Sequence, residues 1–555
     1  MRRSLSLVAA TALAACASFG GPAVVTPVAP LAPSNEVTAD SLLAISALCS
    51  ADATRPAGFA PDLKLAGGMG TGGFKVDTDV KAAQDWFNYG LTLSHAFYHQ
   101  DAKLAMRRAV ELDPACARCA WGEAWALGPT LNYGINDAER KLALDAAQRA
   151  ERLVRGDDAL GRRLVDAIVA RYQGEKTEPA FGQMMAKIAA AYPAETEVSV
   201  LAAHALLIPV RADDTSGLKP ALALLEGVLK DHPDDTAAIH YYIHATEFDD
   251  RPEDAVAYAD RLAALAPAAS HLVHMPAHTF FHAGRYMDAA VVNAKAIAAD
   301  TGWMAAGGDP RPPMARDVPL PMYYAHNLGF GLAGALMAGD AGLSVQYAEH
   351  AARAYPEAGP EQGIDTLPRT YVALAIHAPD QMLSIPVSGR KNIKYRIYRA
   401  YGRAEAHLRR GEAADARAGI AVLRGLKTDA AEKKIAIGVL EGRLAMAEGK
   451  PCEAARHFAD AAEAQKVDED YMDPPTWWYP VRRSIAAAWL KAGDFAKAES
   501  EANASLKLWK HDPLALWVLG RAQLAQGRAA EGEKALGEAR KLWRGDFDSI
   551  SVEAI

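Results

Sequence analysis

The chain is poor in cysteine, with 5 in 555 residues, so no disulfide framework organises it. It has no long basic run. Its 60 Lys and Arg stand against 68 Asp and Glu, a formal net charge of −8, and a nucleic-acid partner is not expected. Long apolar runs are missing except for Leu5 to Ala15, which is too short to span a bilayer. Strand-type alternation is nearly absent beyond residue 80. The glycine-rich stretch at 67–73 lacks the Lys-Ser/Thr of a phosphate loop and follows no strand, so no nucleotide is expected there. Cys116-Ala117-Arg118-Cys119 is followed by Ala120 rather than His, which excludes c-type haem attachment. There is no His-Glu-x-x-His motif, and no Ser-His-Asp or Cys-His set that the sequence places together. Disorder is excluded too, because 50% of the residues are hydrophobic.

What is present begins with a leader. Arg2 and Arg3 precede the apolar run, which ends in Leu13-Ala14-Ala15-Cys16. This ending resembles the lipobox of bacterial lipoproteins. The resemblance implies a signal peptide over 1–16 and lipidation of Cys16. It also implies a place on the periplasmic side of the bacterial cell envelope. Ala17 follows the Cys, which points to an outer-membrane lipoprotein that meets the membrane through its lipid anchor alone. Residues 17–80 read as an Ala/Pro/Val-rich tether and the Gly-rich lead-in.

The body of the chain is alanine-rich, helical in pattern and repetitive at 34 residues. In the unit 435–468, Gly442, Gly449, Ala454, Phe458 and Ala461 occupy positions 8, 15, 20, 24 and 27. Trp86, Gly90, Ala102, Ala109 and Pro114 fit positions 4, 8, 20, 27 and 32 of an earlier unit, and Gly520, Gly527 and Ala539 fit positions 8, 15 and 27 of the last. These residues resemble the tetratricopeptide (TPR) pattern. Its small residues let two antiparallel helices approach, and its large ones fill the gap between repeats. The resulting expectation is an all-α TPR helical-hairpin solenoid in two arrays, 81–300 and 325–545, with a tail at 546–555. The Pro/Gly-rich segment 301–324 joins the arrays, as a plain linker or as a lid.

Seven of the 16 histidines lie between 240 and 326. The TPR resemblance implies that positions 2, 5, 9, 12 and 13 of a repeat face its concave groove. Counted from Thr236, His240, His244 and Glu247 take positions 5, 9 and 12. Counted from Ser270, His271, His274, His278 and His282 take positions 2, 5, 9 and 13. His326 falls at position 2 of its unit and His204 at position 9 of an earlier one. Imidazoles four apart share a helix face and can chelate. The expected ligand set for Zn or Cu is therefore His240, His244, Glu247, His274, His278, His204 and His326. His271, at the very start of its helix, is left out of it. The competing reading is a polar groove whose histidines stack on Tyr241, Tyr242 and Phe281 or bond a peptide.

Cys116 and Cys119 read as a disulfide or dithiol, as half of a metal site, or as small helix-start residues. His95 and His99 are the pair that would complete a Cys2His2 set. Trp121 and Trp125, at positions 5 and 9, are expected groove aromatics, there to meet a ligand or to pack. Residues 473–480 form a Pro-rich aromatic turn expected to cap the core between repeats.

Further segments resemble a group of exported bacterial TPR proteins. They include Ala96-Phe97-Tyr98-His99-Gln100-Asp101-Ala102, Leu112-Asp113-Pro114-Ala115-Cys116, Gly128-Pro129-Thr130-Leu131-Asn132, His274-Met275-Pro276-Ala277-His278, Gly284-Arg285-Tyr286 and Tyr324-Ala325-His326-Asn327. The likeness runs over about 65–545 and supplies no reaction. Gly329 departs from it where another His is expected, which bears on His326. Three functions follow: a groove that binds a protein or peptide, a transition-metal-binding protein, or a metalloenzyme with Glu247 as base. With no catalytic set in view, binding ranks above catalysis.

Overall fold

The computed structural model describes residues 63–211, 213–303, 323–354, 367–386, 391–466, 475 and 477–555. The leader, Cys16, the tether up to residue 62 and most of the insertion at 301–324 lie outside them. The described residues are all-α. They hold no strand, only an isolated bridge between Arg211 and Asp214. Consecutive helices pair as TPR-type antiparallel hairpins, among them Lys81–His95 with His99–Leu112, Thr196–Leu207 with Leu218–Asp231, Ala431–Ala447 with Pro451–Gln465, and Pro513–Ala525 with Ala529–Leu542. Between the Ala341–Ala354 and Ile393–Arg409 helices lie the short helices Leu367–His377 and Pro379–Ser384.

The hairpins form because local chemistry starts and stops each helix. An Asx residue repeatedly caps the start: Asp235 accepts the Ala238 N–H at 2.9 Å, Asp512 the Leu514 N–H at 3.0 Å, and Asn136 shares a capping box with Glu139. Small residues then bring the two helices together. The Cβ of an alanine at 442 would sit 2.5 Å from the Phe458 ring, so a glycine is needed there. Gly449 ends its helix with φ +72°, a conformation that favours glycine.

Two compact units result. One comprises the described residues up to Phe280 together with Val292–Asn327, and the other comprises Phe281–Val291 and Leu328–Ile555. In the first, the glycine-rich stretch is a strap across helix starts. Thr71 N–H donates to Thr236 Oγ1 at 2.7 Å, the Thr236 N–H returns to Thr71 Oγ1 at 3.1 Å, and the Gly73 N–H meets Glu197 Oε2 at 3.1 Å. In the second, charge is buried in paired form. Arg443 and Arg409 both meet the fully buried Glu405, and Arg483 meets Asp512 at 3.2 Å. Trp477 and Tyr479 are buried in the same unit, and Gln465 clasps the turn by bonding the Tyr479 carbonyl and the Val481 N–H at 2.8 Å each.

Two substitutions test this account. Gly442→Ala forces its methyl into the Phe458 ring and should cost about 1–3 kcal/mol. Gly449→Ala meets open space but is held at positive φ, and should cost about 1 kcal/mol. Urea midpoints should fall in that order, and a Gly442→Ala protein as stable as the parent would refute the close-approach argument.

Candidate metal centre

The residues of interest all belong to the first unit. The Thr236–Phe248 helix is buried on every side from Thr236 to Glu247. Its polar side chains therefore need partners inside the protein. Next to it run the Ser270–His274 and Pro276–His282 helices, interrupted at Met275. Pro276 brings no N–H to the ladder, and the His278 N–H goes to the Met275 carbonyl at 3.2 Å. Tyr286–Trp303 contributes Asn293, and Tyr324–Ala338 contributes His326.

His274, His278 and His326 meet ring nitrogen to ring nitrogen. His274 Nε2 lies 3.0 Å from His278 Nε2 and 3.0 Å from His326 Nε2. The outer nitrogens face acceptors. His278 Nδ1 donates to Glu247 Oε1 at 3.2 Å, and His274 Nδ1 donates to Asn293 Oδ1 at 2.7 Å. An imidazole that donates through Nδ1 carries its lone pair on Nε2. Two Nε2 atoms thus face one another at 3.0 Å, with a third ring nitrogen as close to one of them. In neutral rings, donation through both Nδ1 atoms turns both Nε2 lone pairs to a common focus, the arrangement a cation would accept. Zn–N bonds of about 2.0–2.1 Å put tetrahedral nitrogens roughly 3.3 Å apart. Glu247 and Asn293 stand behind the rings, where the orienting partners of metal-bound histidines stand.

A second group lies beside the first. Ring nitrogens of His240, His244 and His271 all lie within 4.8 Å of one another. His240 Nδ1 donates to the His95 carbonyl at 2.7 Å, and its Nε2 lies 3.1 Å from His271 Nε2. The groups adjoin, with ring centroids 6.0 Å apart for His244 and His278 and for His271 and His274.

The expected ligand set is therefore divided. Five of its histidines enter the two groups. Glu247 is set behind His278 and is not among the converging atoms. His204 stands apart, stacked on Tyr241 at 4.6 Å and 7°. Trp121 and Trp125 are buried and stacked at 5.6 Å, and the Trp121 indole N–H donates to the Leu164 carbonyl at 3.1 Å. The sulfurs of Cys116 and Cys119 are bonded to each other, so neither is a thiolate ligand and no Cys2His2 set forms. His95 accepts from the Tyr241 hydroxyl at 3.0 Å and donates to Glu197 at 2.6 Å, while His99 donates to Asn132 Oδ1 at 3.1 Å.

Three members escape the sequence reading. His271 is discounted there as a helix-start residue, although its i, i+3 spacing to His274 is visible. Asn293 sits on a different helix with no pattern to mark it. Phe97, in the turn after Lys81–His95, packs on His240, His244 and His271 with centroids at 4.5, 6.1 and 5.1 Å. It holds φ +59°, a strained value for a bulky residue.

Burial disfavours charge on several of these rings. It pushes His204, His240, His271 and His274 well below the ordinary imidazole range, and neighbouring histidines add to the effect. His99 and His244 are pushed down to about 4. Neutral imidazole is the form that ligates a metal. Asp300, also buried, is pushed up to about 7.

No protein-family model and no curated protein matches the chain. Among solved structures it is similar to human IFIT1, as a dimer with m7Gppp-AAAA, at 14% identity over 92% of this chain and 95% of that one, with a TM-score of 0.28. The TPR domain of P58(IPK) is similar at 14% identity over 80% of this chain and 99% of that one, with a TM-score of 0.20. Superpositions this loose carry no weight for the site. The fold assignment rests on the helix pairs and their register.

The depressed imidazoles set a pH dependence. Between about pH 6.5 and pH 4 the unfolded chain binds protons at His99 and His244 that the folded chain refuses. Their stabilisation is complete above about 6.5 and is lost as pH falls, on the order of 3 kcal/mol each. Asp300 acts oppositely: its contribution is present below its ordinary carboxyl range and is lost as pH rises towards about 7. With histidines in the majority, the urea midpoint of chelator-treated protein should drop between about pH 7 and pH 5. His99→Asn should shallow that drop, and a midpoint that rises on acidification would contradict the neutral-ring reading.

Proposed function

We propose that this protein is an envelope-anchored helical-hairpin scaffold that holds a transition-metal ion, Zn or Cu, in a buried histidine centre. The observation that carries the reading is the meeting of His274, His278 and His326 through Nε2, with Glu247 and Asn293 fixing the outer nitrogens of two of the rings. Nitrogen-only donors suit Zn and Cu. Burial supports a metal over a groove lining, since His274 and His278 are at most 1% exposed and an open groove would leave them to water or peptide. The hairpin scaffold is suited to a protein or peptide ligand elsewhere on its surface. The lipobox-like leader ending at Cys16 supports the bacterial envelope as its location.

Elemental analysis of untagged protein purified from the periplasm tests the reading. At least one equivalent of Zn or Cu is expected, with one equivalent lost in His278→Ala. Because Glu247 orients His278, Glu247→Gln should weaken affinity by about 10–100-fold without abolishing binding. Metal-free protein that takes up neither ion on titration would sink the reading.

A further inference from the structure

The second group of histidines has its own geometry, and it is incomplete in a different way from the first. His240 is fixed. Its Nδ1–H is committed to the His95 carbonyl at 2.7 Å, which leaves the Nε2 lone pair pointing at His271. His271 can satisfy that lone pair by donating from Nε2 at 3.1 Å, yet its Nδ1 then remains buried without a partner. His244 is worse placed. It is 4% exposed, and neither of its ring nitrogens has a hydrogen-bond partner. A buried polar group left unsatisfied costs about 1–3 kcal/mol, so hydrogen bonding does not explain an imidazole at 244. Packing holds these rings instead. Phe97 contacts all three, Tyr323 stacks on His271 at 4.1 Å, and Phe248 stacks on His244 at 6.2 Å. Converging rings packed against apolar side chains, with both nitrogens of His244 and the Nδ1 of His271 unpartnered, are ligands positioned in advance of an ion.

We propose that His240, His244 and His271 form a second transition-metal site, distinct from that of His274, His278 and His326, so that the chain binds two ions side by side. The proposal deepens the metal-binding reading and takes from it the class of ion, Zn or Cu. Its geometry stands by itself. The two sites share no side chain and lie a ring-to-ring step apart through His244 with His278 and His271 with His274.

The test is Zn stoichiometry by elemental analysis of the full chain, loaded with Zn and passed over a chelating column. The variants are His244→Phe and His278→Phe, which keep a ring in place. Two equivalents in the parent and one in each variant are expected. One equivalent that His278→Phe abolishes and His244→Phe leaves intact would overturn the second site and spare the first. One equivalent lost in both variants would mean a single shared site, and would overturn the proposal. One equivalent lost only in His244→Phe would support this site and overturn the reading of the neighbouring triad. No bound Zn would overturn both. Anomalous scattering at the Zn edge from crystals of the parent protein needs no variant. Two peaks, one at each triad, support the proposal, and the absence of a peak at His240, His244 and His271 refutes it.

Discussion

A neutral imidazole carries one N–H and one lone pair, and burying it obliges both to find partners. The first unit buries a cluster of imidazoles: His95, His99, His204, His240, His244, His271, His274 and His278 are each less than 9% exposed. His95 meets the obligation fully, between Tyr241 and Glu197. His240, His274 and His278 meet it on one nitrogen and direct the other at a neighbouring histidine. Neutrality follows from the same burial, because desolvation and neighbouring rings oppose protonation. A neutral ring's lone pair is the donor that a metal would use.

The scaffold makes this crowding achievable. Nε2 atoms meet at 3.0 Å only if their helices are close and their registers agree. The Thr236–Phe248 helix gets its register from the Asp235 cap and from the strap through Thr71. The break before Pro276 puts His274 and His278 on two short helices instead of one continuous turn. Strain at Phe97 belongs to the same design: the sharp turn delivers both the His95 carbonyl and the ring on which three histidines rest.

Much of this was legible in the sequence. The 34-residue register placed helix pairs and the small residues between them, as Gly442 against Phe458 illustrates. It also assigned His240, His244, His274, His278 and His326 to positions that the TPR resemblance places on one groove; the structure brings them together but buries all except His326. The division into two groups was not legible. It depends on ring direction, and direction depends on which outer nitrogen finds an acceptor. That acceptor is a backbone carbonyl for His240 and an Asn from a different helix for His274, neither of which has a sequence signature. Glu247 shows the same limit. Position 12 marks it as a groove residue, and the contact with His278 Nδ1 at 3.2 Å, which the register does not foretell, sets it behind that ring.

A scaffold with no metal has to account for His244 in another way. The position lies inside a helix buried on all sides, among Phe97, Phe248 and other rings. Leucine there would fill comparable space, favour the helix at least as well, and leave no nitrogen unsatisfied. The same reasoning applied to His95 gives the opposite answer, since both of its nitrogens are bonded and leucine would strand Tyr241 and Glu197. The two residues separate a histidine that holds structure together from one that structure alone would not choose. Of the second kind, His204 stands apart against Tyr241, whereas His244 is grouped with His240 and His271 and adjoins the triad in which Nε2 atoms face each other.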